Sequence, residues 1–345
     1  MTAPARIRKR VIGALLAAAW LCIGAVPGRA DEITLYSTRE TKLVEPVIAA
    51  FTEMSGITVK LIFIEGNMVE RLTSEGAASP ADVLMTIGLD KTTQFSNHDL
   101  TQPLVSAILD AAVPSHLRGR DAQWVSLSIR PRIALMRGAA AIAAVNYEDL
   151  SDPRWHGKLC IRPALHQNNV AMISAYLVHH GAAATETWLR GLKANLAHQP
   201  AGKDNDVVRE IAQGACDIGI GNTVALAQLR DGREGPEWTE WARAVKAIPT
   251  TFQGGGTHVN LTGAALARHA PHKAAALKFV EFLLTPAAQQ IYAAAELEYP
   301  VMADAVPAPL VVEIGSFAAD ALPIDEIAAH QRAAIALIKK VGFDE

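Results

Sequence analysis

Strand-like and helix-like segments alternate along the chain, and this alternation constrains the fold more than any other feature. EITLYST is apolar at every second position, as in a strand, and KLVEPVIAAFTEMSG has the spacing of an amphipathic helix that ends at Gly56. ITVKLIFIEG, NMVERLTSEG and ADVLMTIG continue the alternation. Repeated strand–helix–strand units predict a largely parallel sheet that is covered by helices on both faces.

A second α/β series follows two extended segments, WVSLSI and RIALMR, which have no helix between them and are interpreted as a crossing between lobes. The series contains predicted helices near 168–180, 184–196 and 204–213 and the predicted strand CDIGI. The extended, glycine-rich KAIPTTFQGGGTHVNLTGAALA then returns the chain to the first series. Two amphipathic helices and a last helix, DEIAAHQRAAIALIKKVG, complete the pattern.

Two α/β series joined by extended crossings predict two lobes with a hinged cleft between them. The mature chain is longer than one typical core, which also favours two lobes. The N-terminal lobe is expected to comprise 31–128 plus 257–303. The C-terminal lobe is expected to comprise 129–256 plus 304–345.

The first 30 residues have the order of a secretory signal peptide. Basic residues between Arg6 and Arg10 precede the apolar VIGALLAAAWLCIGAV, and small residues at Gly28 and Ala30 suit cleavage after Ala30. Removing this segment takes away five positive charges and no acidic residue, so the formal net charge changes from −3 to −8. An exported acidic protein has no electrostatic reason to bind nucleic acid or anionic lipid.

Two cysteines, Cys160 and Cys216, remain in the exported chain. An even number of cysteines in an exported protein predicts a disulfide, and two buried free thiols are the alternative.

Ligands in open α/β sheets bind beyond the carboxyl ends of strands and against helix N-termini. Five segments follow predicted strands or crossings in this way and are expected to line the cleft: STRE (37–40), TIGLD (86–90), HQNN (166–169), GNT (221–223) and GTHVN (256–260).

Several of these motifs resemble one known family. LYSTRE, SEGAASPADVLMTIGLDK, YEDLSDPRWHGKLCIRPALHQNN, CDIGIGNT, GGGTHVNLTGAALA and ELEYPV are similar, in order, to the periplasmic ferric-iron-binding proteins of ABC importers. The resemblance implies a two-lobe Venus flytrap with mixed sheets that are flanked by helices and hinged by extended crossings. It also implies a monomer that carries ferric iron with a synergistic anion such as carbonate to an inner-membrane permease, and no resident cofactor.

The iron ligands of that family do not carry over to this chain. Its two consecutive tyrosines align with Val224 and Ala225, and a third aligns with Asn168. None of the tyrosines in the exported chain aligns with a ligand position, so phenolate ligation of ferric iron is not expected here.

The remaining candidates follow from side-chain chemistry at the strand ends. Arg39 offers a planar fork to an anion, Glu40 could ligate a cation, and His166 is a possible borderline metal ligand. The expected ligand-binding residues are Thr38, Arg39, Glu40, Asn168, Asn222, Thr223 and His258. If iron is bound, Glu40 and His166 are the candidate metal ligands.

Three functions remain open at this stage. The main interpretation is a periplasmic solute-binding protein that captures iron or an iron–anion complex for an ABC importer. The second is a binding protein for a small anionic organic solute, such as a phosphate ester or carboxylate. The third is a sensor or interaction protein that transports nothing. An enzyme is not expected, because no nucleophile–base pair or metal-binding motif can be assembled from the sequence.

Overall fold

The structure is a computed structural model that describes residues 1–2, 32–139, 141–302 and 304–345. The predicted signal peptide, apart from Met1 and Thr2, and its cleavage site lie outside the described residues. Within the described ranges, no helix combines the length and the apolar character that a membrane crossing needs.

The described strands are β1 (Glu32–Ser37), β2 (Thr58–Phe63), β3 (Val83–Ile87), β4 (Thr101–Gln102), β5 (Val125–Arg137), β6 (Val145–Asn146), β7 (Leu159–Ile161), β8 (Ile218–Asn222), β9 (Val245–Ile248), β10 (Thr250–Thr251), β11 (Val259–Ala267) and β12 (Tyr299–Pro300). The described α-helices are α1 (Thr41–Ser55), α2 (Met68–Glu75), α3 (Leu89–Asn97), α4 (Ala107–Ala112), α5 (Gln167–Asn195), α6 (Asp204–Gln213), α7 (Thr223–Arg230), α8 (Pro236–Ala244), α9 (Lys273–Leu283), α10 (Pro286–Glu296), α11 (Pro309–Ile314), α12 (Ile324–Ala329) and α13 (Gln331–Val341).

The main sheet has the strand order β2-β1-β3-β11-β5-β8-β7. β1 pairs in parallel with β2 and β3, whereas β11 runs antiparallel to both β3 and β5. The alternation of strands and helices therefore builds the parallel part of the sheet, and the strands that return from distant parts of the chain add the antiparallel part. The mixed sheet implied by the family resemblance is confirmed, whereas the largely parallel sheet predicted from the alternation holds, among the described strands of the main sheet, only for β2-β1-β3 and for β7-β8.

The long strand β5 belongs to both halves of the sheet. Its first half pairs with β11 and β12, and its second half pairs with β8 and β9. In the first half of the sheet α1, α9 and α10 pack on β1, β2, β11 and β12, and in the second half α6, α7 and α8 pack on β5, β8 and β9. WVSLSI and RIALMR are thus one continuous crossing strand.

Helix boundaries follow local chemistry. Gly56 ends α1 with a positive φ of 72° and donates its backbone N–H to Thr52 O, as the sequence predicts. The two helices expected near 168–180 and 184–196 form one helical segment, α5, which is interrupted at Gly181 where φ is 76°. The single helix expected at the C-terminus is two, α12 and α13, which meet at His330. The short helices α3, α4, α8 and α11 were not predicted.

The predicted disulfide between Cys160 and Cys216 is confirmed, and the Cα atoms of the two cysteines lie 5.9 Å apart. It ties the edge strand β7 to the turn that leads from α6 into β8. The bridge joins residues 56 positions apart, and closing a loop of that length stabilises a chain by about 4 kcal/mol in the chain-entropy model.

Candidate ligand-binding site

The five segments expected to line a cleft contribute to two adjacent recesses. The narrow recess is lined by Arg130, Arg132, Asn168, Asn222 and Asn260. The wide recess, of about 390 Å³, has Thr38, Thr86, Asp90, Lys91 and Gln94 among its lining residues. The recesses adjoin because Leu89 N donates to Asn260 Oδ1 over 2.8 Å, and the next residue, Asp90, lines the wide recess.

The narrow recess lies where β5 passes from one half of the sheet to the other. Arg130 is opposite Asn260 on β11, and Arg132 is opposite Asn222 on β8. Asn168 enters from the first turn of α5, and its Oδ1 accepts from Asn260 Nδ2 over 3.1 Å. Two guanidinium groups and three amides therefore converge from four elements, and the Asn168–Asn260 hydrogen bond joins the two halves.

Arg132 is held rigidly and keeps one donor nitrogen unused. Its Nε donates to Asn169 Oδ1 over 2.7 Å, and its Nη1 donates to Asp204 Oδ1 over 3.2 Å. Its Nη2 is buried and has no hydrogen-bond partner among the described residues. A buried donor without a partner is costly unless a ligand satisfies it, so this nitrogen suits an anion's oxygen atom.

Asp204, the first residue of α6, anchors the positive side chains. Its Oδ2 accepts from Arg162 Nη1 over 3.1 Å and from Asn222 Nδ2 over 2.7 Å. Burial works against the charged carboxylate, but Arg132 and Arg162 outweigh it and hold the pKa of Asp204 below its usual range. One carboxylate thus serves two arginines, which leaves this part of the site positive.

Asn222 is positioned by its role as the cap of α7. Its Oδ1 accepts from Ala225 N over 2.8 Å, which satisfies one of the free N–H groups at the helix start. Thr223 is 1% exposed, and its hydroxyl has no partner in the described chain. Val224 and Ala225 are 3% and 7% exposed, so the positions aligned with the family's paired tyrosines are packed and apolar.

The wide recess adds a carboxylate. Asp90 Oδ1 is buried without a hydrogen-bond partner among the residues described, and burial raises the pKa of this carboxyl. Thr38 Oγ1 accepts from Ile87 N over 3.3 Å and lies 3.2 Å from Thr86 Oγ1. An unpartnered carboxylate oxygen in a recess that two threonines also line can ligate a cation or accept a hydrogen bond from a ligand.

The structure places Arg39 and Glu40 away from both recesses. Arg39 is 5% exposed and directs its guanidinium into the protein, where Nη1 lies 2.7 Å from Glu296 Oε2 and Nη2 contacts Glu298. An arginine that is held by two buried carboxylates is not free to grip an external anion. Glu40 is 62% exposed and pairs with Lys42 over 2.9 Å, so it is a surface ion pair.

Of the two candidate histidines, His166 has a structural partner and His258 is buried. His166 caps α5, because its Nδ1 accepts from Asn168 N over 3.2 Å. Burial, assisted by Arg162, lowers the pKa of His166 to about 4. His258 is fully enclosed, and burial together with Arg132 lowers its pKa to about 3. His258 supports β5 through its backbone, since Arg132 N donates to His258 O over 3.0 Å.

All five tyrosines lie within the described residues, and none of them lines either recess. Tyr147 donates to the backbone oxygen of Arg132, Tyr36 pairs with Glu75, and Tyr299 donates to Gly315 O. Tyr176 stacks on Trp188, and Tyr292 is buried beside Arg39. Burial raises the pKa of all five, which disfavours the phenolate form.

Comparison with known proteins agrees with this architecture. Residues 33–295 match the family model described as bacterial extracellular solute-binding protein. The chain belongs to that family. This solute-binding protein is also 32% identical over 326 residues to iron uptake protein A1 of Synechocystis, an alignment that covers 93% of this chain and 90% of the relative.

Solved structures of iron-binding proteins superpose on this chain over most of its length. A Bordetella ferric binding protein superposes with a TM-score of 0.89 at 44% identity, covering 91% of this chain and 100% of the other. A Trichodesmium protein in complex with iron and citrate ligands superposes with a TM-score of 0.86 at 33% identity, covering 90% and 99%. The predicted two-lobe fold and the resemblance to periplasmic ferric-iron-binding proteins are confirmed.

Sequence reasoning missed the two arginines that define the narrow recess. Arg130 and Arg132 interrupt an otherwise apolar and small-residue strand, and Pro131 lies between them. Charged residues at the midpoint of a buried strand are a signal, because burying a charge is costly without a partner or ligand. Asn260 and Asp90 lay within predicted segments but were not singled out.

Proposed function

We propose that this protein is the periplasmic solute-binding component of an ABC iron importer, and that it captures iron as an anionic complex. The two halves of the sheet are the lobes, and the narrow recess between them, together with the adjoining wide recess in the first lobe, is the binding cleft. The chain carries its ligand to an inner-membrane permease and performs no catalysis. The expected lobe boundaries, the monomeric state and cleavage after Ala30 for export remain parts of this proposal.

Support for iron as the cargo comes from the relatives, whose names include an iron uptake protein and a ferric binding protein. Support for an anionic complex comes from the charge of the site. Arg130, Arg132 and Arg162 lie in or against the narrow recess, and a bare trivalent cation would be repelled by them. A ferric complex with a polycarboxylate brings its own oxygen ligands and a negative charge.

The observation that carries the proposal is the unpartnered Nη2 of Arg132. The other two nitrogens are fixed by Asn169 and Asp204, so the free donor is aimed before any ligand arrives. Asp90, across the boundary of the two recesses, is the protein oxygen that can complete the metal's coordination. The packed Val224 and Ala225 take no part in ligation.

The test is calorimetric titration of the purified protein with ferric citrate, with citrate alone and with ferric nitrilotriacetate. Ferric citrate should bind most tightly, and the complex should show no tyrosinate charge-transfer band. Arg132→Lys keeps the charge but loses the fork, and should weaken binding about tenfold or more, because a charge-assisted hydrogen bond contributes about 1.5–3 kcal/mol. Arg137→Lys, on the same strand outside the recess, is the matched control.

Three results would overturn the proposal. Equal affinity for citrate and ferric citrate would assign an organic anion as the solute. Absence of binding to all three ligands would favour a protein that transports nothing. A strong tyrosinate charge-transfer band with ferric citrate would show that a tyrosine phenolate ligates the iron.

A further inference from the structure

Two side chains that can ligate a metal lie against the Cys160–Cys216 disulfide, and neither of them lines the narrow or the wide recess. His198 Nε2 is 3.5 Å from Cys160 Sγ and 3.2 Å from Glu210 Oε2. The ligand atoms of Cys160, His198 and Glu210 all lie within 4.8 Å of one another. A sulfur, an imidazole and a carboxylate therefore meet at one place, and the second sulfur, that of Cys216, is bonded to the first.

The orientation of His198 suits a metal ligand. Its Nδ1 lies 2.9 Å from Gln199 O, and a carbonyl oxygen can only accept, so Nδ1 carries a hydrogen. The other ring nitrogen, Nε2, is thereby turned toward the sulfur and the carboxylate. Metal-binding histidines are commonly oriented by such a hydrogen bond from the second ring nitrogen to a backbone carbonyl.

The four side chains come from four different segments that the fold holds together. Cys160 lies on the edge strand β7, Glu210 on α6, Cys216 in the turn before β8, and His198 in the loop after α5. The sulfurs are buried, whereas the side chain of His198 is 39% exposed and that of Glu210 is 19% exposed. An ion can therefore enter past His198 and Glu210 and reach sulfurs that stay inside.

We propose that reductive opening of the Cys160–Cys216 disulfide creates a zinc site of two thiolates, one imidazole and one carboxylate. A dithiol reductant supplies two electrons and two protons: its own sulfurs become a disulfide, and the protein's sulfur–sulfur bond becomes two thiols. Zinc then binds both sulfurs, and the two thiol protons pass to solvent. His198 Nε2 and a Glu210 oxygen complete a four-coordinate tetrahedral set.

The disulfide gates this site because it removes the two strongest ligands. In the oxidised protein only His198 and Glu210 can coordinate, and neither sulfur is a thiolate. In the reduced protein the mixed sulfur and nitrogen set favours zinc over an oxygen-seeking ferric ion. The site is thus chemically distinct from the proposed iron cleft, and it stands or falls independently of iron binding.

The experiment compares oxidised protein with protein reduced by a phosphine and desalted under anaerobic conditions. Zinc affinity is measured by competition with a chromophoric chelator, and Co²⁺ serves as a spectroscopic probe for thiolate ligation. Reduced protein should bind one zinc ion and give thiolate-to-cobalt charge-transfer absorption, and oxidised protein should do neither. His198→Ala and Glu210→Gln should each weaken zinc binding about tenfold or more, since even loss of an outer-shell partner costs about that much.

The matched control is His330→Ala, a half-buried histidine whose ring Nδ1 contacts Glu326 O, and it should leave zinc binding unchanged. Loss of zinc binding on reduction must be distinguished from unfolding. Thermal unfolding of the reduced protein is therefore followed with and without zinc. Zinc should raise the melting temperature of reduced wild type but not of reduced His198→Ala. No zinc uptake, no such rise, equal zinc binding by oxidised protein, or full affinity in His198→Ala would each overturn the proposal.

Discussion

Replacing Arg39 by methionine should greatly lower the free energy of unfolding and leave ligand affinity nearly unchanged. Arg39 is 5% exposed, and besides Glu296 and Glu298 its guanidinium reaches Thr262, where Nη2 donates to Oγ1 over 2.6 Å. Methionine keeps most of the apolar packing of the side chain and removes only the charge and its donors. The variant therefore measures the contribution of the buried ion pairs to the free energy of unfolding, separately from that of packing.

The size of the stability loss depends on the two buried carboxylates that remain when Arg39 is removed. Breaking a buried ion pair by removing one partner costs about 3–5 kcal/mol, because the other charge stays buried without compensation. Glu298 retains Arg130, whose Nε lies 3.2 Å from Oε1, but Glu296 loses its closest cation. Burial, opposed by Arg39 and reinforced by Glu298, raises the pKa of Glu296 to about 7. The loss should therefore be smaller near about pH 5.5, where Glu296 is protonated, than near about pH 8.5.

Urea unfolding followed by far-UV circular dichroism at both pH values measures this loss. The control is Glu40→Gln at the next residue, whose exposed pair with Lys42 should contribute no more than about 1 kcal/mol. If Arg39→Met unfolds like wild type at both pH values but binds ferric citrate at least about tenfold more weakly, then Arg39 holds the ligand and the buried-pair reasoning is refuted.

Two further predictions concern the buried carboxyl of Glu296 and the close packing of β8 on α6. The pKa of Glu296 rises from 4.5 to about 7 on folding, so the folded state binds this proton more tightly and the group's contribution to stability falls as pH rises through that interval. Glu296→Gln should therefore flatten the pH dependence of the unfolding free energy between these two pH values. An unchanged slope would contradict the raised pKa of Glu296. Gly219→Ala should cost about 1–3 kcal/mol, because a Cβ there would lie 2.4 Å from Val207 Cγ1 where β8 packs on α6. Gly66→Ala, where nothing lies within 4 Å of the added carbon, is the control, and equal melting temperatures for the two variants would show that β8 can shift.

Features that depend on local chemistry could be predicted from the sequence. Asn222 follows a strand and precedes an apolar helix, so its place at the strand end and its cap on α7 both follow from neighbouring residues. The same holds for Gly56 at the end of α1. The disulfide followed from the cysteine count together with the export signal.

The orientation of Arg39 could not be predicted, because it depends on residues far along the chain. Its partners Glu296 and Glu298 are more than 250 positions away, and only the packing of α10 and β12 on the sheet brings them to β1. The same limit applies to Arg132, whose anchors Asn169 and Asp204 come from α5 and α6. The rule that ligands bind beyond the carboxyl ends of strands predicts the edge of the sheet at which a site lies. Ion pairs with residues far along the chain determine which charged side chains remain free at that edge.

The continuous strand β5 places two of the proposed ligand-binding residues at the boundary between the two halves of the sheet. Arg130 is paired with one half of the sheet and Arg132 with the other, and between them Pro131 has no N–H to add to the ladder. Rotation of one half against the other in the proposed hinged cleft would twist the few backbone bonds between these two arginines. An anion that bridges both guanidinium groups in the proposed cleft would therefore fix the twist of β5, and with it the angle between the two halves.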